Sequence, residues 1–536
     1  MAEAMIVAPQ PEAVEAGAVM LREGGNAVDA AITCALVQGV VDPLMAGIAG
    51  FGSMQIYMPG RPYHGFIDFH GRVPGAARPD MWADLIAGEA RDGFGFVLKG
   101  AVNDVGYQSI TVPGSLKAYH EAIVEFGGRP WAEIVAPAIR HAEDGWVVRP
   151  HVHQFWSDDA NTGRAPNPDR LRATPAARRL YCDGDGKPLR PGARIANPDL
   201  ARTLKRIAEG GAEVFYRGDL AAEIAADMAK NGGLLSAADL AGYRTRRPEP
   251  LWGTYRGHRI ATNQPPGGGV MLIEMLNILE NFDLAALGHN SPEYLRVVCE
   301  AMKRATIDKD SHVGDPEFLD VPLAHLTDKA YAAEMAASIE RGERAHVERV
   351  AAEPRDTTHI SVLDGAGNAV SMTHSLGMPS GVITEGLGFM YNGCMGVFDP
   401  RPGRPGSIAP GKSRFSSICP SILFRDDAPV LVIGAPGGTQ IAMGVLHVIL
   451  NVIDFGMSIT EAVVAPRFSS TSDAIDVSNR IPSYVTRPLA EQGYEIIRNY
   501  LSYGFAAVHA IRVEGDHLDG AADPGHDGMA LLVRDV

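Results

Sequence analysis

The chain is short of basic residues. Its 48 lysines and arginines stand against 64 aspartates and glutamates, a formal net charge of −16. A surface with that balance repels phosphate backbones, so nucleic-acid binding is set aside. Long hydrophobic runs are missing as well: no apolar stretch reaches the roughly 18–20 residues a bilayer span needs, and no membrane role is expected. The opening "MAEAMIVAPQPEAVEAG" has neither the basic start nor the apolar core of a secretory signal. Cysteine is scarce. Cys34, Cys182, Cys299, Cys394 and Cys419 are odd in number, scattered, and contain no CxxC pair. That usage predicts free, mostly buried thiols in a reducing compartment, and the cytoplasm is the expected location. There is no internal repeat and no low-complexity tract.

Several motifs are present only in part. "DGDG" at 183–186 begins like a calcium loop but lacks the closing glutamate, so a turn is expected. His151 and His153 have no nearby carboxylate or cysteine to complete a metal site, and a solvated loop is the reading. "PPGGG" at 265–269 lacks the Gly-Lys-Ser/Thr ending of a phosphate loop and reads as a turn. No GxGxxG fingerprint follows the strand "VLVIG".

What is present is ordinary globular composition, 46% hydrophobic over 536 residues, enough for two or more domains or one large layered unit. The first third has apolar positions at helical spacing, with a break at Gly24-Gly25 and Asn26 placed to cap the next helix. Residues around 150–195 are rich in Pro, Gly and charge and predict an extended surface excursion. Residues 325–352 read as helical and charged. From 357 the pattern changes to strands, so the expected class is mixed α+β with the sheet concentrated late.

Two places in that late region carry chemistry. In "VLVIGAPGGTQIAM" a buried strand runs into Gly434–Gly438 and a helix begins near Thr439. Backbone N–H groups freed there suit an anion or oxyanion, and a close-packed strand–helix turn would use the same residues. In "TTHISVLDGAGNAVSMTHS" a three-residue loop, Gly365-Ala366-Gly367, pairs Asp364 with Asn368. Counting back puts Ser371 opposite Ser361, Thr373 opposite His359, and Ser375 opposite Thr357, all on one face. The other face, with Ile360, Val362, Val370 and Met372, is core-like. A polar stripe that ends in a Thr–Ser pair is unusual for a purely structural hairpin.

These residues, with "LREGGNAVDAAI", "VPGSLKAY", "NGGLLSAADLAGYR", "LNILENFDL", "GDPEF", "SSICPSI", "GAPGGTQI" and "GAADP", resemble the γ-glutamyltranspeptidase family of N-terminal nucleophile hydrolases across nearly the whole chain. The resemblance implies a four-layer αββα sandwich and a proenzyme that cuts itself between Asp356 and Thr357. Segment 1–356 would be the larger, helix-rich piece and 357–536 the smaller piece carrying the nucleophile. The two would stay associated, with a homodimer of that heterodimer as a possible assembly. Thr357 would attack the substrate carbonyl, its own α-amino group (unperturbed pKa roughly 8) serving as base. Ser375 would support its hydroxyl, Gly437 and Gly438 would bind the oxyanion through their amides, and Ser416 and Ser417 would hold the substrate carboxylate. No cofactor and no metal are needed.

The departures define the substrate question. Family transpeptidases read "DFRE" where this chain has "DFHG", so His70 replaces the arginine that clamps the glutamyl carboxylate, while Arg72 should point elsewhere. Gly377 replaces an asparagine, Cys394 a glutamine, and Val397 an aspartate, all contacts to the amino-acid end of the donor. The lid-like stretch before the serine pair, "DPRPGRPGSIAPGKSR", is short. The expected activity is hydrolysis of a small amide with a non-glutamyl or atypical acyl group, as in oxamate amidohydrolases and cephalosporin acylases. A true γ-glutamyl hydrolase or transferase and a catalytically silent binding protein are the alternatives.

Overall fold

The computed structural model describes residues 3–89, 95–159, 163–347 and 357–534. Twelve strands build two six-stranded sheets: β1 Glu3–Pro9, β2 Phe51–Met58, β3 Tyr63–Asp68, β4 Leu251–Tyr255, β5 His258–Thr262, β6 Thr358–Leu363, β7 Ala369–Ser375, β8 Ser421–Arg425, β9 Ala428–Gly434, β10 His509–Glu514, β11 His517–Ala522 and β12 Gly528–Arg534. The first sheet runs β12-β1-β6-β7-β2-β3 and the second β11-β10-β9-β8-β5-β4. Five helices flank these sheets: α1 Pro11–Arg22, α2 Ala27–Val41, α3 Gly269–Leu279, α4 Pro292–His312 and α5 Ile441–Ile453.

Three apolar layers hold four structural layers together. Ile6, Met54, Ile56, Ile360, Val362, Val370 and Met372 of the first sheet pack with α1 and α2 in one core. Tyr255, Ile260, Leu423, Leu431 and Ile433 of the second sheet pack with α3, α4 and α5 in another. Between the sheets, Met5, Val7, Ala261, Leu363, Ile422, Val432 and Ile511 form a third, smaller core. This is the expected αββα sandwich. Helix α2, "AVDAAITCALVQGVV", is apolar on every side because it is covered on every side, with only Gly39 not fully buried.

The hairpin takes the register read from its loop. His359 pairs with Thr373, Ser361 with Ser371 and Leu363 with Ala369, and the Asp364 N–H donates to the Asn368 carbonyl. Asp364 then does a second task. Its carboxylate accepts from the Ala27 N–H at 2.9 Å, at the positive N-terminus of α2, whose capping box is Asn26 with Asp29. The turn is thereby pinned to the helix layer.

The segment around 150–195 is a correction. It folds into short helices at Pro150–Trp156, Asn167–Arg170 and Pro175–Tyr181, and both Trp156 and Arg170 are fully buried. Arg170 donates to the Asp104 carboxylate at 2.7 Å and to the Pro379 carbonyl at 2.8 Å. Burial pushes the Asp104 carboxyl up, but Arg170 and Arg164 outweigh it and hold it below the usual carboxylate range. Local composition gave no sign of these partners, which lie 66 and 209 residues away. His151 and His153 sit on the first of these helices rather than in a solvated loop. His151 packs edge-on to His526 and His153 meets the Leu189 carbonyl. "DGDG" is a turn closed on Asp183, and "PPGGG" is a turn that runs into α3. The helix expected over 325–352 is observed at Leu323–Leu326 and Lys329–Glu340, and residues 348–352 lie outside those described.

Candidate active site

The polar face of the hairpin meets the second sheet through hydroxyl groups, with Leu363 and Ala369 packing at its turn end. Ser361 donates to the His509 carbonyl at 3.2 Å and Ser371 to the Ile433 carbonyl at 2.9 Å. His359 bonds to Thr373 at 2.8 Å and to Ser361 at 3.0 Å. Burial, reinforced by the neighbouring His509 and His374, pushes the His359 pKa well below its ordinary value. The second sheet comes this close because β9 ends in glycine: a Cβ on Gly434 would lie 2.2 Å from the His359 ring.

At the open end of this face the Thr357 hydroxyl donates to Ser375 Oγ at 3.0 Å, as the register requires. Ser375 Oγ also accepts from the Gly377 N–H at 2.8 Å. Thr357 is buried and has φ 97°, a left-handed backbone that a β-branched residue adopts only under strain. Asp356, on the other side of the bond expected to break, lies outside the described residues. Thr358 points to the helix side, where its hydroxyl accepts from Gln38 at 3.0 Å.

Beyond Ser375 the site widens around Phe51. His70 lies 5.8 Å from the Phe51 ring centre and is held by two short bonds, Nδ1 to the Asp68 carboxylate at 2.5 Å and Nε2 to Ser416 Oγ at 2.6 Å. A carboxylate only accepts, so Nδ1 carries a proton. Ser416 is fixed by its N–H to the Pro266 carbonyl, and Gly268 packs against the Ser417 carbonyl, so the "PPGGG" turn supports the serine pair. Arg72 turns away to Glu317 at 3.2 Å, as expected.

Gly377 and Cys394, far apart in sequence, are neighbours: a Cβ on Gly377 would stand 2.9 Å from Cys394 Sγ. Val397 lines a cavity of about 690 Å³ together with Ser413, Arg414 and Phe415. The strand–helix turn at Gly437-Gly438 has φ 136° and 54°, conformations open to glycine, and leads through a short 3-10 turn into α5. All five cysteines are buried thiols. Sequence reasoning missed Phe51, Asp68 and Arg414. Arg414 lies two residues before the serine pair in "KSRFSSI", and its guanidinium stacks 4.6 Å over Phe51.

The fold and the threonine at the strand mouth define an enzyme of the N-terminal nucleophile hydrolase class. The profile of the gamma-glutamyltranspeptidase family matches residues 13–533. The acylase ACY 1 proenzyme of Pseudomonas sp. (strain V22) is 38% identical over 99% of this chain and 93% of its own length. The glutathione hydrolase proenzyme of Pseudomonas aeruginosa is 34% identical over 99% of this chain and 94% of its own. Among solved structures, cephalosporin acylase from Bacillus halodurans superposes with a TM-score of 0.86 at 29% identity, covering 99% of this chain and 95% of that one. The chain belongs to the γ-glutamyltranspeptidase family.

Proposed function

We propose that the protein is a self-processing amidohydrolase that takes an acyl group other than γ-glutamyl onto Thr357. The observation that carries this is the combination at one site: the Thr357–Ser375 pair is intact at 3.0 Å, while the family's amino-acid clamp is replaced by His70, Gly377, Cys394 and Val397. The names of the relatives, acylase and cephalosporin acylase beside glutathione hydrolase, support the same reading.

In maturation the Thr357 hydroxyl attacks the Asp356 carbonyl, the C–N bond to Thr357 breaks, and water releases residues 1–356. The strained φ of 97° favours leaving the uncut state. In turnover the new α-amino group takes the hydroxyl proton as Oγ1 attacks the substrate carbonyl. The Gly437 and Gly438 N–H groups receive the oxyanion, and losing one such donor typically costs about 3–4 kcal/mol of transition-state stabilisation. The amine departs with a proton, and water then cleaves the acyl ester to regenerate threonine. Ser416 and Ser417 hold the acyl group's polar end.

Thr357→Ala tests the reading: it should leave a single uncut and inactive chain, whereas the wild type should give two bands on a denaturing gel. Full activity in a wild-type sample shown by intact mass to be uncleaved would sink the mechanism.

A further inference from the structure

We propose that Gln10 and Gln38, terminated by Asp42, are positioning residues for self-cleavage: they clamp Thr358 from the helix side and so hold the backbone of Thr357 in its reactive conformation. The inference rests on the self-processing reading above and adds to it the groups that aim the nucleophile.

The mouth of β6 lacks half of its ladder. On one edge β7 is paired with it as far as Thr358, which stands opposite His374. On the other edge β1 is paired with it only over Met5–Val7, and the last pair is Val7 with Ser361. Carrying that register on would put Pro9 opposite His359 and Gln10 opposite Thr358. Pro9 has no N–H to give, and Gln10 turns away with φ 62° to begin α1. The backbone next to the nucleophile is therefore laddered on one side only.

Side chains take over where the ladder stops. The Gln38 amide nitrogen, in the last turn of α2, donates to Thr358 Oγ1 at 3.0 Å and to Gln10 Oε1 at 2.9 Å. It also lies 3.3 Å from the Pro9 carbonyl. The Thr358 hydroxyl donates on to Gln10 Oε1 at 3.4 Å, and Gln10 Nε2 donates to Asp42 Oδ2 at 2.8 Å. From the other end His374 Nε2 donates to Gln38 Oε1 at 2.8 Å. These bonds run one way, from imidazole to carboxyl, which fixes the orientation of each amide. All five residues are buried. Apolar side chains would fill this layer without the desolvation cost, so stability is not what the network supplies. It supplies a fixed place for Thr358, and the strained Thr357 backbone, φ 97°, persists only where its surroundings over-determine it.

Asp42 makes the clamp sensitive to pH. It caps the C-terminus of α2, where the helix dipole disfavours a negative charge. Burial pushes its carboxyl up to about 7; Arg149 and the bond from Gln10 oppose this, while Asp527 and Glu12 add to it. Its Oδ1 meets no hydrogen-bond donor among the described residues, so a proton is readily taken up there. The neutral acid is a weaker acceptor for Gln10 than the carboxylate.

The test follows conversion of one chain into two on a denaturing gel, in full-length protein made by cell-free synthesis. Thr358→Val, which keeps the shape and drops the oxygen, should slow conversion by about tenfold or more. Thr358→Ser, which restores the oxygen, should recover most of the rate, and Gln38→Leu should behave like the valine variant. Conversion at wild-type speed in both Thr358→Val and Gln38→Leu overturns the proposal. The wild type should also convert more slowly as the pH falls below about 7. Asp42→Asn, a stand-in for the protonated carboxyl, should convert at that slower rate on both sides of this value. A purely structural network would lower the urea midpoint and leave the pH profile as it was, so an unchanged profile in Asp42→Asn also overturns the proposal. A wild type that never converts would overturn the self-processing reading itself, a result distinct from wild type and variants all converting at one rate.

Discussion

Ser375 has one oxygen that serves two donors, the Thr357 hydroxyl and the Gly377 N–H. Removing it leaves a buried amide unmet and the nucleophile unoriented, and an unsatisfied buried donor costs about 1–3 kcal/mol. Ser375→Ala should therefore slow both the appearance of two chains and the turnover of the mature enzyme by about tenfold or more, at roughly 1.4 kcal/mol per factor of ten. Ser375→Thr, which restores the oxygen, should recover most of both rates. Unchanged rates in the alanine variant would remove Ser375 from the machinery. At this scale the sequence was legible wherever a residue's role follows from its own strand. The Thr–Ser pairing came from counting across a three-residue loop. The place of Arg414 was not legible that way, because it lies over Phe51 and beside Gly377, neither of them a sequence neighbour.

The hairpin as an element has two faces with opposite electrostatic demands, and its helix-side face carries a buried histidine. His374 donates from Nε2 to Gln38 Oε1 at 2.8 Å and accepts at Nδ1 from Tyr119 Oη at 2.7 Å, which suits a neutral ring. Burial pushes its pKa from 6.5 down to about 3. The unfolded chain takes up the proton first, so the stability this residue contributes is intact above about pH 6.5 and declines as pH falls toward 3. At pH 5 the loss from this one group is about 2 kcal/mol. His374→Gln should lose less stability than the wild type between pH 7.5 and pH 5, measured as the shift in urea midpoint. An equal or larger acid loss in the variant would show that the ring is not held neutral. The strands and the turn were legible here because side chains alternate with period two. The excursion over 150–195 was misread for the converse reason: what buries Arg170 is Asp104 and Pro379, and nothing nearby in sequence points to either.

Across the whole molecule, the proposed cut would divide the sheets in an interleaved way. In the first sheet β12, β6 and β7 belong to the later piece, while β1, β2 and β3 belong to the earlier one, so β1 is flanked by strands of the other piece on both sides. In the second sheet β5 and β8 join across the same division. Strand ladders and apolar cores respond little to ionic strength, unlike surface ion pairs. The cleaved protein should elute from gel filtration as one particle containing both bands at low and high salt, and separate only in denaturant. Release of either piece by salt alone would contradict the interleaved sheets.

Chain ends are ordinarily the loosest parts of a protein, free to fray and tolerant of tags. Here the end that the proposed cut would create opens directly into β6, which is hydrogen-bonded to β7 along its length and to β1 at its far end. The terminus would behave as a mounted reagent rather than a tail. Anything joined to it, whether one leftover residue, an acetyl group or a fusion partner, would cap the amine and the reaction together. The ribosome cannot supply such an end, since translation would place a methionine where the amine must be. The preceding segment is therefore more than a companion piece: breaking its bond to Thr357 would give the molecule its reactive group.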